Sequence, residues 1–157
     1  MIEIRKLKSD DNFDELVLLS TEFFKEYESY HDYFFEIDEL LKEHIIGYFT
    51  RWIDDDSGDT YIAIVNGEIV GYITIYVRKQ ADYMMVKKTG EISGLMIKKA
   101  HRHTGIAEKL FNASMEFFKK KEVKYFTLFT AVENRGALAF YKKQGMTPLD
   151  TTLIGEI

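Results

Sequence analysis

Cysteine is absent from the 157-residue chain, which excludes disulfides, thiolate metal sites and a cysteine nucleophile. No run of about 18 apolar residues exists to span a bilayer. The opening residues, MIEIRKLKSDD, lack the apolar core of a signal peptide. A cytoplasmic protein with no membrane partner is therefore the expectation. The phosphate loop G-x-x-x-x-G-K-[ST], the dinucleotide pattern G-x-G-x-x-G and the nucleophile elbow G-x-S-x-G are all missing. There is no H-x3-H pair, and His31, His44, His101 and His103 lack ligand partners at useful spacing, so no metal is expected. Ser93 precedes Gly94 with nothing nearby that reads as its base. Repeats, low-complexity tracts and linkers are lacking too, which points to a single domain over residues 1–157.

What is present suits a packed core: 46% of residues are hydrophobic and 15% aromatic, a composition that opposes disorder. The net charge of −5 is unevenly divided. Residues 1–60 hold 17 acidic and 6 basic side chains, whereas residues 61–157 hold 9 and 15. The acidic total argues against a general nucleic-acid binder, because duplex affinity rests largely on neutralising phosphates. The basic half suits a polyanionic ligand and the acidic half a cation, although two ordinary solvated surfaces give the same count.

Taken in order, residues 1–6 alternate as a strand, and Ser9 or Asp10 is placed to cap the helix that follows. Phe13, Leu16, Leu19, Phe23 and Tyr27 keep helical spacing, and YHDYFF at 30–35 breaks it. A second helical stripe runs through Ile37, Leu41, Ile45, Tyr48 and Trp52. Asn66-Gly67 between two apolar runs predicts a type I′ hairpin. Residues 79–90 read as a loop, 91–98 as a strand and 104–121 as a helix with Ile106, Leu110, Ala113 and Phe117 inward. Residues 125–132 form a near-continuous apolar run, expected as a central strand covered on both faces. Asn134 caps a short helix over 135–144 that Gly145 ends, and 147–157 is a candidate last strand. The order β-α-α-β-β-β-α-β-α-β predicts an α/β protein of the α+β kind, a mixed sheet with helices packed on it.

Residues 91–107, EISGLMIKKAHRHTGIA, are the stretch the chain is organised around. An apolar strand turns basic and passes through Gly105 into a helix. The first four N–H groups of a helix have no internal partner, and its dipole adds roughly half a positive charge there, so an anion is favoured at that point. Leu95-Met96-Ile97 followed by Arg102-x-x-Gly105-x-Ala107, and one strand later Asn134-x6-Tyr141-x3-Gly145, resemble the two motifs of GNAT-type N-acetyltransferases. The element order resembles that fold too, so the likeness covers essentially the whole chain. Departures are small: Lys99 stands for a frequent proline, His103-Thr104 for a more usual Gly-Lys or Gly-Arg, and Met146 for a frequent Phe.

The resemblance implies a GNAT-like acyl-CoA N-acyltransferase with acetyl-CoA as co-substrate and an amine acceptor, a small molecule or a peptide. By the same likeness, Arg102, His103, Thr104, Gly105, Ile106 and Ala107 hold the CoA pyrophosphate. Leu95, Met96 and Ile97 hold the pantetheine arm, with a backbone N–H near Met96 polarising the thioester carbonyl, an effect worth ~3–4 kcal/mol. Tyr141 is the acid that serves the CoA sulfur, and Asn134 helps fix the cofactor arm. Glu91 is a candidate base or water holder; a strand-end acid paired with Lys87 or Lys88 is the competing account. The acidic and aromatic first helices suit a cationic amine. A catalytically silent CoA-binding sensor or interaction module of the same fold stays open, and a homodimer is expected by analogy with relatives.

Overall fold

Asn66 and Gly67 take positive φ, 52° and 83°, as a type I′ turn requires. They join β2 (Gly58–Val65) to β3 (Glu68–Lys79), the hairpin on which the sheet is built. In the computed structural model, which describes residues 1–157, β1 (Ile2–Lys6) pairs antiparallel with β2. β4 (Lys88–Ile97) pairs antiparallel with β3, and β5 (Phe126–Thr127) lies parallel to β4. The sheet order is β1-β2-β3-β4-β5.

Helices cover both faces. On one, α1 (Phe13–Glu28) and α2 (Lys42–Thr50) bury Leu16, Leu19, Ile45 and Phe49 against Ile62, Tyr72 and Met96. On the other, α3 (Ile106–Lys120) and α4 (Arg135–Lys143) enclose Ile73, Ile75, Ile92, Leu110, Phe111 and Tyr141. Leu16, Phe49, Ile73 and Leu110 have no exposed surface, and burying each such side chain contributes about 1.5–3 kcal/mol.

Several boundaries differ from the sequence reading. The cap of α1 is Asn12, whose side chain accepts from Asp14 N–H, and neither Ser9 nor Asp10 serves. Asp11 beside them is held by the Arg5 guanidinium at 2.5 Å and by Lys8 N–H, so the helix begins one turn later. The second helix starts at Lys42 because Tyr27 packs on Tyr30 and Phe35, and Glu28 takes the Ile37 N–H, which fixes residues 30–37 in a non-helical path.

The run 125–132 is not a central strand. Only two of its residues pair, at the sheet edge, and Phe129 and Val132 are exposed. The cause lies in β4: Thr74 faces Gly94 while Ile75 faces Ile92, so Ser93 is an extra, bulged residue. A bulge bends its strand and increases the local twist. β4 accordingly parts from β5 after Glu91, and the last backbone pair is Glu91–Thr127. The expected final strand is also not formed. The last backbone hydrogen bond of the chain runs from Met146 N–H to the Tyr141 carbonyl, and residues 147–157 are exposed without regular structure.

Candidate active site

The end of β4 leads into a short 3-10 turn (Lys99–His101) and then into α3. His103 and Gly105 both take left-handed φ, 62° and 83°. Only glycine adopts that region without cost, and a Cβ on Gly105 would meet no protein atom within 4 Å. The site therefore opens outward at Gly105. Arg102 N–H bonds the Lys99 carbonyl, and the next backbone donor with a partner is Lys109 N–H, on the Gly105 carbonyl. The N–H groups of residues 103–108 have no acceptor within the protein. Six consecutive free donors at a helix start, reinforced by the helix dipole, make an anion seat.

The basic side chains around this seat are already engaged. Arg102 donates to Glu26 of α1 at 2.6 Å and through Nε to the Ile97 carbonyl at 3.0 Å. Lys99 lies 4.0 Å from the same Glu26, and Lys98 pairs with Glu68. Arg102 thus latches α1 to the end of β4, and the free charge on the turn is smaller than its composition suggests. His103 and Thr104 are exposed, the Thr104 hydroxyl bonding the His101 carbonyl, while Ile106 is buried and Ala107 half-buried. The latch was not legible in the sequence, because its partners lie 76 residues apart.

Below the seat, β4 presents an open edge. Beyond the Glu91–Thr127 pair β4 has no paired strand on its β5 side, so the stretch holding Leu95, Met96 and Ile97 borders a gap. Met96 is buried on the α1/α2 face; Leu95 and Ile97 pack toward α3. Tyr141 belongs to the α3-face cluster with Ile92, Ile97 and Ile106, its ring 6.4 Å from that of Phe111. Burial lifts its hydroxyl above the ordinary tyrosine range, and that hydroxyl makes no hydrogen bond within the protein. The Asn134 side chain accepts from Ala137 N–H at 3.2 Å and so caps the start of α4, the helix that carries Tyr141 near its other end.

On the opposite face of β4, Glu91 is nearly buried, and its Oε2 has no hydrogen-bond donor. Its pairing with Lys87 or Lys88 is not realised. Lys87 reaches the Asp82 carbonyl and Lys88 the Lys121 carbonyl, and the cation beside Glu91 is Arg78 at 3.5 Å. Across the strand pair stands Tyr76, its hydroxyl pushed up to about 12 by burial and by the Glu91 carboxylate. Trp52 stacks on the Tyr76 ring at 5.3 Å. Ser93, in the bulge, shares a 2.6 Å hydrogen bond with Tyr48 of α2. Neither Tyr48 nor Tyr76 was singled out from the sequence. A glycine inside an apolar strand, as at Gly94, is the sequence signal that marks a bulge there.

The acetyltransferase (GNAT) family model matches residues 16–146. The chain belongs to that family. An N-acetyltransferase of Methanocaldococcus jannaschii, itself uncharacterised, is 28% identical over 142 residues, covering 90% of this chain. The chain spans 59% of that relative's length. A tetramutant of a Bacillus halodurans protein superposes with a TM-score of 0.85 at 21% identity, covering 99% of both chains. An aminoglycoside N-acetyltransferase solved in complex with CoA superposes with a TM-score of 0.78 at 13% identity, covering 100% of this chain and 95% of that one. These structural likenesses concern the fold alone. GNAT membership accords with the two motifs on either side of the β4–β5 gap.

Proposed function

We propose that this GNAT member transfers an acetyl group from acetyl-CoA directly to a primary amine. The observation that carries the proposal is the run of six unpartnered N–H groups at residues 103–108, set at the end of a strand whose outer edge is free. The amides take the pyrophosphate, which explains why the turn needs left-handed backbone at His103 and Gly105. The pantetheine arm lies along the edge of Leu95, Met96 and Ile97 in place of a strand, bringing the thioester toward the bulge.

At the thioester, the amine nitrogen bonds to the carbonyl carbon and the C–S bond breaks. The negative charge that develops on the carbonyl oxygen is met by a fixed backbone donor near Met96. The amine must shed a proton first, since a primary ammonium has a reference pKa near ~10.4. Glu91, with one carboxylate oxygen free of donors, holds the water that takes this proton or takes it directly. Tyr141 faces the departing sulfur. With its hydroxyl raised above its usual range and a thiol reference near ~8.5, full transfer to the thiolate is uphill. Tyr141 therefore acts chiefly by donating a hydrogen bond to the developing thiolate, whose protonation is completed from solvent.

The acceptor side is formed by α1 and α2, rich in carboxylates and aromatic rings, and by the Glu91–Tyr76–Trp52 wall. These features support a cationic amine, with the aminoglycoside acceptor of a structural neighbour as one example of the class. The test is release of CoA thiol from acetyl-CoA in the presence of candidate amines, with the acetylated product identified by mass. The reading fails when acetyl-CoA binds and no amine provokes release.

A further inference from the structure

Ser93 is the one residue of β4 with no partner opposite it on β3, because Thr74 faces Gly94 and Ile75 faces Ile92. A bulged residue has its side chain re-aimed. The Ser93 hydroxyl meets the Tyr48 hydroxyl of α2 at 2.6 Å, and Ser93 is exposed just past Glu91, where β4 parts from β5. The surroundings hold Tyr48 in that place. Its ring packs edge-on against the fully buried Phe49 at 5.0 Å. A Cβ on Gly94 would stand 3.0 Å from the Tyr48 hydroxyl, so the glycine leaves that oxygen its room.

The direction of the hydrogen bond follows from the two hydroxyls. A phenol, with a reference pKa near ~10, is a much stronger donor than an aliphatic hydroxyl. Burial raises Tyr48 above its ordinary range, so the proton is retained. Tyr48 therefore donates to Ser93 Oγ, and the Ser93 proton is directed at the Thr74 carbonyl, 3.4 Å away. The Thr74 hydroxyl does not compete, being bonded to Thr60 at 2.9 Å. A serine oxygen has two lone pairs. One takes the Tyr48 proton and the other is free on the exposed side. Two residues back on the same face of the strand, Glu91 Oε2 has no donor, and the Glu91 charge is near enough to act on Tyr48. Two free acceptors thus stand side by side at the bulge.

We propose that Ser93 Oγ accepts one N–H of the incoming amine, with Tyr48 as the positioning residue that holds Ser93 as an acceptor. This rests on the acetyl-transfer reading and adds no step to it, since the hydroxyls orient the amine and exchange no proton with it. A neutral primary amine has two N–H groups and one lone pair. With one N–H on Ser93 and the other on Glu91 or its water, the lone pair is left for the thioester carbon. A secondary amine has a single N–H and leaves one acceptor unmet, so the arrangement selects primary amines.

The test compares kcat/KM for an amine that the parent chain acetylates and for its N-methyl derivative, beside the Kd for acetyl-CoA. Ser93→Ala is expected to lower kcat/KM for the primary amine about 10–30-fold and to narrow the preference over the N-methyl amine, with the Kd unchanged. Ser93→Thr, which keeps the hydroxyl, is expected to stay near the parent. Tyr48→Phe is expected to give a smaller loss, and the double variant to lose no more than Ser93→Ala, because Tyr48 acts through Ser93. A parent that releases thiol with no amine overturns the acetyl-transfer reading, and this proposal with it. Given a working parent, three results overturn this proposal alone: a Ser93→Ala chain that matches it, an unchanged preference over the N-methyl amine, or a double variant that loses the product of the two single effects.

Discussion

Gly105 and Tyr141 divide the proposed chemistry between binding and turnover, and substitutions at the two separate those roles. A side chain at Gly105 meets open space, so its folding cost is the left-handed backbone alone, about 1 kcal/mol. The added Cβ stands in the space proposed for the pyrophosphate. Gly105→Ala is therefore expected to keep the fold and weaken acetyl-CoA binding about tenfold, equivalent to ~1.4 kcal/mol. Calorimetric titration beside a urea melt checks both parts. Tyr141→Phe removes only the donor. It is expected to lower kcat about 100-fold while leaving the Kd for acetyl-CoA near its parent value. Unchanged turnover in that variant would remove Tyr141 from the reaction. Equal losses in kcat and cofactor affinity would make it a packing residue beside Phe111.

Among the elements, α3 joins the anion seat to the core, and Leu110 at its centre is fully buried. Leu110→Ala is expected to destabilise the protein by about 2–5 kcal/mol, read as a fall in the urea midpoint. Asn134→Ala removes the α4 cap at a cost of about 1 kcal/mol, and it disturbs the helix that bears Tyr141. Elements whose shape follows from local chemistry were legible in the sequence. Asn66-Gly67 dictates its own turn, Asn134 its own cap, and the apolar stripe of α3 its buried face. Elements shaped by distant partners were not. The apolar run 125–132 has the composition of a central strand, but the Ser93 bulge on β4 turns that strand away after Glu91. The start of α2 depends on Tyr27 packing against Phe35, and the role of Arg102 depends on Glu26. In the site itself, the motif spacing singled out the turn at 102–107, the end of β4 and Tyr141, on which the proposed roles rest. The Tyr48–Ser93 and Glu91–Tyr76 pairings arise only when strands and helices assemble.

At the scale of the whole molecule, both ends of the pH range follow from groups the fold holds away from their ordinary behaviour. Six of the ten tyrosines, Tyr30, Tyr48, Tyr61, Tyr72, Tyr76 and Tyr141, are raised, chiefly by burial. A raised tyrosine keeps its proton in the native state after the unfolded chain has lost it. Its stabilising effect is full below the ordinary value near ~10 and is lost as pH climbs through the folded value, about 12 for Tyr76. Alkaline titration should thus show tyrosinate absorbance from these six residues appearing together with unfolding. At the acid end, the Arg5 guanidinium holds Asp11 below the usual carboxylate range, so that contribution is present at neutral pH and fades as pH falls through the lowered value. The central claim is catalytic, and one measurement bears on it most directly. Acetyl-CoA is incubated with the protein and a panel of primary amines, including a polyamine, an aminoglycoside and a lysine peptide, and free thiol is followed with time. The account predicts amine-dependent thiol release with a matching N-acetylated product for at least one cationic amine. Binding of acetyl-CoA with no thiol released across the panel would contradict it and leave a silent CoA-binding module.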